Sequence, residues 1–226
     1  MQRHFFNSML KKIGGLPPLP DYFPTYVAQV TATNKVAETS IILATPSSWA
    51  WMQVGDLMIA IVANDWGAWS VVSFTAWRTL LYDVEHTLWT TRQLCYYKTY
   101  TWNSSFEINF TNPRKMWCCI TWIHQWQIDV FWTAETTTQP NPPNINFTQT
   151  GKHLVFTAWS QFGGRQGAGK PAWYTLILSS ATNLPSDWVS YAVATKDVNG
   201  SAENPWLWTF PWDDDSIAST IAIKPI

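Results

Sequence analysis

Charge is what this chain has least of. Fourteen lysines and arginines face fifteen aspartates and glutamates in 226 residues, so 13% of positions are charged and the net charge is −1. Basic residues come together only in isolated doublets such as Lys11 and Lys12, which leave no electrostatic footprint for a phosphate backbone, so no nucleic acid is expected as a partner. Cysteine is equally sparse. Cys95, Cys118 and Cys119 are an odd number without C-x-x-C spacing, and neighbours 118 and 119 would point to opposite faces of a strand, so all three read as buried free thiols. Long apolar runs are missing too. The longest, Leu57 to Ala63, is far below the roughly 20 residues that span a bilayer, and no membrane insertion is expected. Residues 1 to 20 hold no long apolar core and no small-residue cleavage site, as in a protein without a secretory signal.

The chemistry of catalysis is thin as well. His4, His86, His124 and His153 show no H-x-x-x-H or H-E-x-x-H spacing; His124 and His153 read as strand residues, and no metal site is expected. Asp213 to Asp215 lack the alternating oxygen spacing of a calcium loop. Gly164 to Lys170 match G-x-x-x-x-G-K, but Pro171 stands where a phosphate loop needs a serine or threonine hydroxyl, so no cofactor is expected. Asp83 with Glu85, or Asp129 with Glu135, would serve glycoside hydrolysis only if folding set two carboxylates about 5–9.5 Å apart. No serine or cysteine has a recognisable base partner. The expectation is a protein without catalytic residues.

What the chain has instead is tryptophan, 17 of them, and a repeated text. Pro46, Gly55 and Trp77 are matched at the same spacing by Pro142, Gly151 and Trp173, and further on Tyr96, Phe110 and Ile123 match Tyr191, Phe210 and Ile223. The flanks agree, GDLMIAIVA from Gly55 against GKHLVFTAW from Gly151, and AWRTL from Ala76 against AWYTL from Ala172. Two copies are too few for a solenoid and fit one fold with internal pseudo-symmetry.

Apolar periodicity is of the strand type. Strands are expected at 26–33 and 41–45, then near 56–63, 77–82, 93–99, 106–111 and 115–123, and again near 152–159, 173–179, 188–195, 206–210 and 216–223. Such spacing predicts an all-β antiparallel sandwich, jelly-roll-like, in one domain over 25–226 with halves near 25–135 and 136–226. In 206–212, Trp206, Trp208, Phe210 and Trp212 would share one face of a strand that Pro211 confines to an edge.

Residues 1–24 differ in kind. His4 to Lys12 can form a short amphipathic helix with Phe5, Phe6, Met9 and Leu10 on one side, before a Pro-rich linker. This reads as an arm that docks on another subunit. Most tryptophans should be core, but Trp66 and Trp69 fall in an expected loop and Trp188 follows a Pro-Ser-Asp turn. These three are the candidate interface or sugar-stacking aromatics.

GDLMIAIVA from Gly55, AWRTL from Ala76, LCYYKT from Leu94 and SIASTIAIKP from Ser216 together resemble a β-rich domain of tailed-phage virion proteins of fibre, appendage and head-decoration type. In that domain a GDLL run, a GWT strand, a YYK strand and a closing AIAIKP-like strand recur in this order. The resemblance covers roughly 45–226, with Ala76 where a glycine is usual and with an excess of tryptophan. It implies a β-sandwich without catalytic residues. The expected partners are other virion structural proteins, further copies of the chain, and a host-surface glycan. The expected location is the virion, assembled in the host cytoplasm.

Overall fold

A computed structural model of the chain describes residues 26–44, 53–65, 72–74, 79–88, 91–101, 105–124, 126–136, 141–162, 169–180, 189–208 and 215–226. The expected arm and linker, 1–24, lie outside them. Among the described residues there are eleven strands and no helix: β1 Tyr26–Ala44, β2 Leu57–Asp65, β3 Val72–Phe74, β4 Thr79–Glu85, β5 Thr91–Thr99, β6 Ser105–Ile123, β7 Trp126–Thr136, β8 Ile145–Phe162, β9 Thr175–Ser180, β10 Val189–Glu203 and β11 Ser216–Pro225.

The all-β sandwich is the observed architecture. One sheet has the order β1-β6-β2-β5-β4, with β3 beside β6, and the other has the order β7-β11-β8-β10-β9. All pairs are antiparallel. The two orders are identical once β1, β2, β4, β5 and β6 are matched to β7, β8, β9, β10 and β11. Each half of the chain therefore fills one whole sheet, where a jelly roll would alternate between two.

The duplication extends to irregularities. Pairing of β1 with β6 skips Val27, and pairing of β7 with β11 skips Asp129 at the equivalent place, beside Ile123 and Ile223. Leu81 in β4 and Ile177 in β9 are skipped in the same way beside Cys95 and Val193. Bulges of this kind bend a strand and re-aim a side chain, so the two halves share curvature as well as order.

The sheets meet over one core. Leu57, Ile59, Ile61 and Ala63 of β2 alternate inward against Leu154, Phe156 and Ala158 of β8, joined by Tyr191, Val193, Ile221 and Ile223. Met58, Ala60 and Val62 on the other face of β2 are buried too, which is why this run is continuously apolar rather than alternating. β11, between β7 and β8, is likewise buried on both faces. A second cluster covers the outer face of the second sheet, where Trp208 and Tyr174 close over Val155, Trp159, Ala192, Ala194 and Ala218.

Several expectations need correction. The strands expected at 26–33 and 41–45 are joined in β1, Tyr26–Ala44, and those at 106–111 and 115–123 in β6, because shifts of the β1–β6 register around Glu38 and Arg114 absorb Pro113. The second sheet begins at Trp126, ahead of the expected division at 135 and 136; β1 and β7 share a place without sharing a residue pattern. Residues 204–208 are not a strand. Trp206 is exposed while Trp208 is buried, because Trp208 folds over the sheet and donates from Nε1 to Thr157 Oγ1 at 2.9 Å. His124 sits in the turn after β6, not in a strand. Finally, the repeat is offset by one residue from the gapless match. Leu57 and Leu154, 97 apart, hold the equivalent places opposite Ile123 and Ile223. By the same registers Tyr96 corresponds to Ala194, not Tyr191.

Candidate functional site

Three groups of polar side chains brace the sandwich before any surface is considered. Between the sheets, Tyr82 Oη donates to Ser219 Oγ at 2.8 Å and lies 3.0 Å from Gln93 Oε1, while Gln93 Nε2 donates to Ser160 Oγ at 3.3 Å. All four are buried, and burial pushes the Tyr82 hydroxyl well above its ordinary pKa. The neighbouring Cys95 is a free buried thiol, raised by burial. β6 carries Cys118 and Cys119.

At one end of the first sheet, Asp56 accepts from Gln53 N at 2.8 Å and meets His124 Nδ1 at 2.5 Å. The turn from Gln53 to Asp56 closes through Asp56 N to Gln53 O at 3.1 Å, with Gly55 at φ 105 in its third position. Only glycine takes that conformation without strain.

The equivalent end of the second sheet is richer. The Asp129 side chain, placed by its bulge on the outer face of the second sheet beside His153 and Lys224, is fully buried. Its Oδ1 is 2.8 Å from Lys224 Nζ and also accepts from Thr148 Oγ1, while Thr148 N donates to Oδ2 at 2.9 Å. Burial alone would raise this carboxyl, but the Lys224 and Thr148 donors overcome it and hold it below its ordinary pKa. His153 stacks on Phe147 with ring centroids 3.9 Å apart and approaches Asp129 to 3.4 Å. Burial dominates there and lowers its pKa, against the pull of Gly151 O and Asp129.

The surface candidate lies on the layer over the outer face of the second sheet. Tyr174 is buried, its hydroxyl 3.3 Å from Glu203 Oε1, and Lys196 Nζ meets the same oxygen at 2.7 Å while standing 5.6 Å above the Tyr174 ring. Burial, then the Glu203 carboxylate, raises the Tyr174 pKa. Tyr174 N donates to Pro171 O at 3.2 Å and closes a turn, and Lys170 Nζ donates to Tyr174 O. At the third position of that turn stands Trp173, with φ 70 and 83% of its surface exposed. Trp206, two residues before buried Trp208, is 68% exposed, and Leu207 is exposed beside it. Trp132, on edge strand β7, is exposed as well.

The expected site residues fall elsewhere. Phe5, Phe6, Met9, Leu10, Trp66, Trp69 and Trp188 lie outside the described residues. Asp83 is engaged by Arg92 through two bonds of 2.7 and 2.5 Å, an exposed bidentate pair. Asp129 is committed to Lys224 and Thr148, and Glu135 lies further along β7. Lys170 serves the 171–174 turn. Among the described residues no group of three histidine, cysteine, aspartate or glutamate side chains is placed to hold a metal, and no helix is long and apolar enough to cross a membrane. Trp173 escaped sequence reading because the repeat marked it as a strand start. The missed signal was the Gly-Lys-Pro before it, a turn opener rather than a strand opener. No protein-family model and no curated protein matches this chain.

Proposed function

We propose that the chain is a non-enzymatic structural protein of a bacteriophage virion, a head-decoration or tail and fibre component assembled in the host cytoplasm. It attaches to other virion proteins and to further copies of itself through its N-terminal arm and aromatic contacts. The observation that supports this reading best is a twice-built sheet, with its polar side chains spent on bracing, that leaves large aromatics outside. Tyr82, Gln93, Ser160 and Ser219 bind sheet to sheet, and Asp129, Thr148 and Lys224 bind β7 and β8 to β11. Such a body offers stiffness and anchoring surface. Deletion of residues 1–20, followed by assembly of particles, tests the arm: loss of incorporation is expected, and undisturbed assembly contradicts it.

A carbohydrate-binding module of a phage or cell surface is the second reading. The solvent-facing indole of Trp173 favours it.

A further inference from the structure

Trp173 carries two costs that nothing among the described residues offsets. A left-handed backbone costs a non-glycine residue about 1–2 kcal/mol, and φ 70 at the third position of a turn is where glycine is the usual residue. An indole 83% exposed also forgoes nearly all the burial that makes tryptophan stabilising. Gly55 meets the same backbone demand at the equivalent position of its own turn with no side chain at all.

The turn around Trp173 is nevertheless held firmly. Pro171 and Tyr174 are buried, Lys170 ties to the Tyr174 carbonyl, and Glu203 and Lys196 pin the Tyr174 ring. A fixed indole loses little entropy when something lies against it. Local strain held in place by its surroundings points to recognition.

The chemistry of the surroundings selects the partner. Among the described residues the charges beside the turn are already engaged, Lys196 with Glu203 and Lys170 with the Tyr174 carbonyl, and the exposed residues Ala172, Thr175 and Asn204 are neutral. Among the described residues no carboxylate or ammonium beside the turn is left without a partner for a charged ligand. Trp173 and Trp206 together expose about 380 Å², taking about 250 Å² for a whole tryptophan side chain. That is about half of the roughly 800 Å² per partner that a stable protein contact takes. A neutral sugar ring, apolar on its C–H face and polar at its rim, fits both facts.

We propose that the Pro171–Tyr174 turn is a binding site for neutral oligosaccharide, with a pyranose face stacked on Trp173 and Trp206 extending the platform from the same covering layer. The proposal rests on the reading of the chain as a carbohydrate-binding module and is separate from its place in a particle. The full chain is screened on an array of neutral gluco-, galacto-, manno- and N-acetylglucosamine oligosaccharides beside sulfated and sialylated ones, and any hit is titrated calorimetrically with Trp173→Gly and Trp206→Ala. Trp173→Gly should raise Tm by about 2–4 °C, since the strain is relieved, while weakening neutral-glycan binding about tenfold or more. Trp206→Ala should weaken binding without raising Tm. Unchanged affinity in Trp173→Gly overturns this site and leaves the module reading standing. Absence of any neutral-glycan binding by the unaltered chain, or binding of anionic glycans alone, overturns both. Capture of a virion protein through Trp173 would overturn the sugar assignment in favour of a protein contact.

Discussion

Asn64 and Gln161 are the same residue of the two halves. Asn64 pairs with Met116 on one side and Arg92 on the other, and Gln161 pairs with Ser216 and Ser190 in the equivalent strands. Each is fully buried at the end of a central strand, on the face away from the shared core, and among the described residues neither amide oxygen nor amide nitrogen has a hydrogen-bond partner. A buried amide without partners costs about 1–3 kcal/mol. Asn64→Leu and Gln161→Met should therefore each stabilise the fold by about 1 kcal/mol, read as a rise in the denaturation midpoint at constant slope. Lying on opposite outer faces of a sandwich whose sheets alone are about 10 Å apart, the two gains should add. A loss of stability in either variant would mean that its amide is satisfied in solution.

The inter-sheet network makes the opposite prediction. Tyr82→Phe removes one hydroxyl but leaves Gln93 and Ser219 buried without their partner, a cost of about 1–3 kcal/mol. Equilibrium unfolding measures it. A change below about 0.5 kcal/mol, the range of ordinary surface substitutions, would mean that the bond contributes nothing.

Lys224 stands against a carboxylate with no access to water. Lys224→Met strands that charge and should cost about 3 kcal/mol or more. Adding Asp129→Asn should restore over half of the loss, because a neutral amide still accepts from Thr148. If the double variant is no more stable than the single one, the loss came from packing rather than charge.

His153 sets the acid side of the stability curve. Its folded pKa lies below its ordinary 6.5, so as pH falls through 6.5 the unfolded chain takes up a proton that the folded chain refuses. Stability should decline from there toward the lower folded pKa. Asp129, also lowered, adds a second loss as pH drops below its ordinary 3.8 toward its folded pKa. In His153→Phe the first decline should flatten while the second persists. Denaturant midpoints from pH 7.5 down to about 2 decide this, and an unaltered first decline in the variant would assign it to another group.

Much of this architecture is legible in the residues. The continuous apolar runs at Leu57 and Ser216 mark central strands because both faces are buried, and Ile123 and Ile223 are true equivalents. The limits are equally physical. A side-chain period of two means that a single residue between Gly151 and Leu154 moves the apparent repeat from one face to the other, and text similarity does not register it. β1 and β7 are edge strands, held by one neighbour each, and need no common pattern. Asp129 was visible as a carboxylate, but its role depends on a bulge and on Lys224, 95 residues later. Trp173 was visible as a repeat landmark, but its outward stance depends on a turn that propensity would assign to glycine.

The proposal that this sandwich is a part of a virus particle is tested most directly by quantitative mass spectrometry of density-purified particles from a culture that produces the chain. The account predicts the intact chain at a fixed stoichiometry to the major capsid or tail protein, retained through a high-salt wash because so few charges are available to hold it. Its absence from the particles, with recovery only in the soluble fraction of the lysate, would contradict the account.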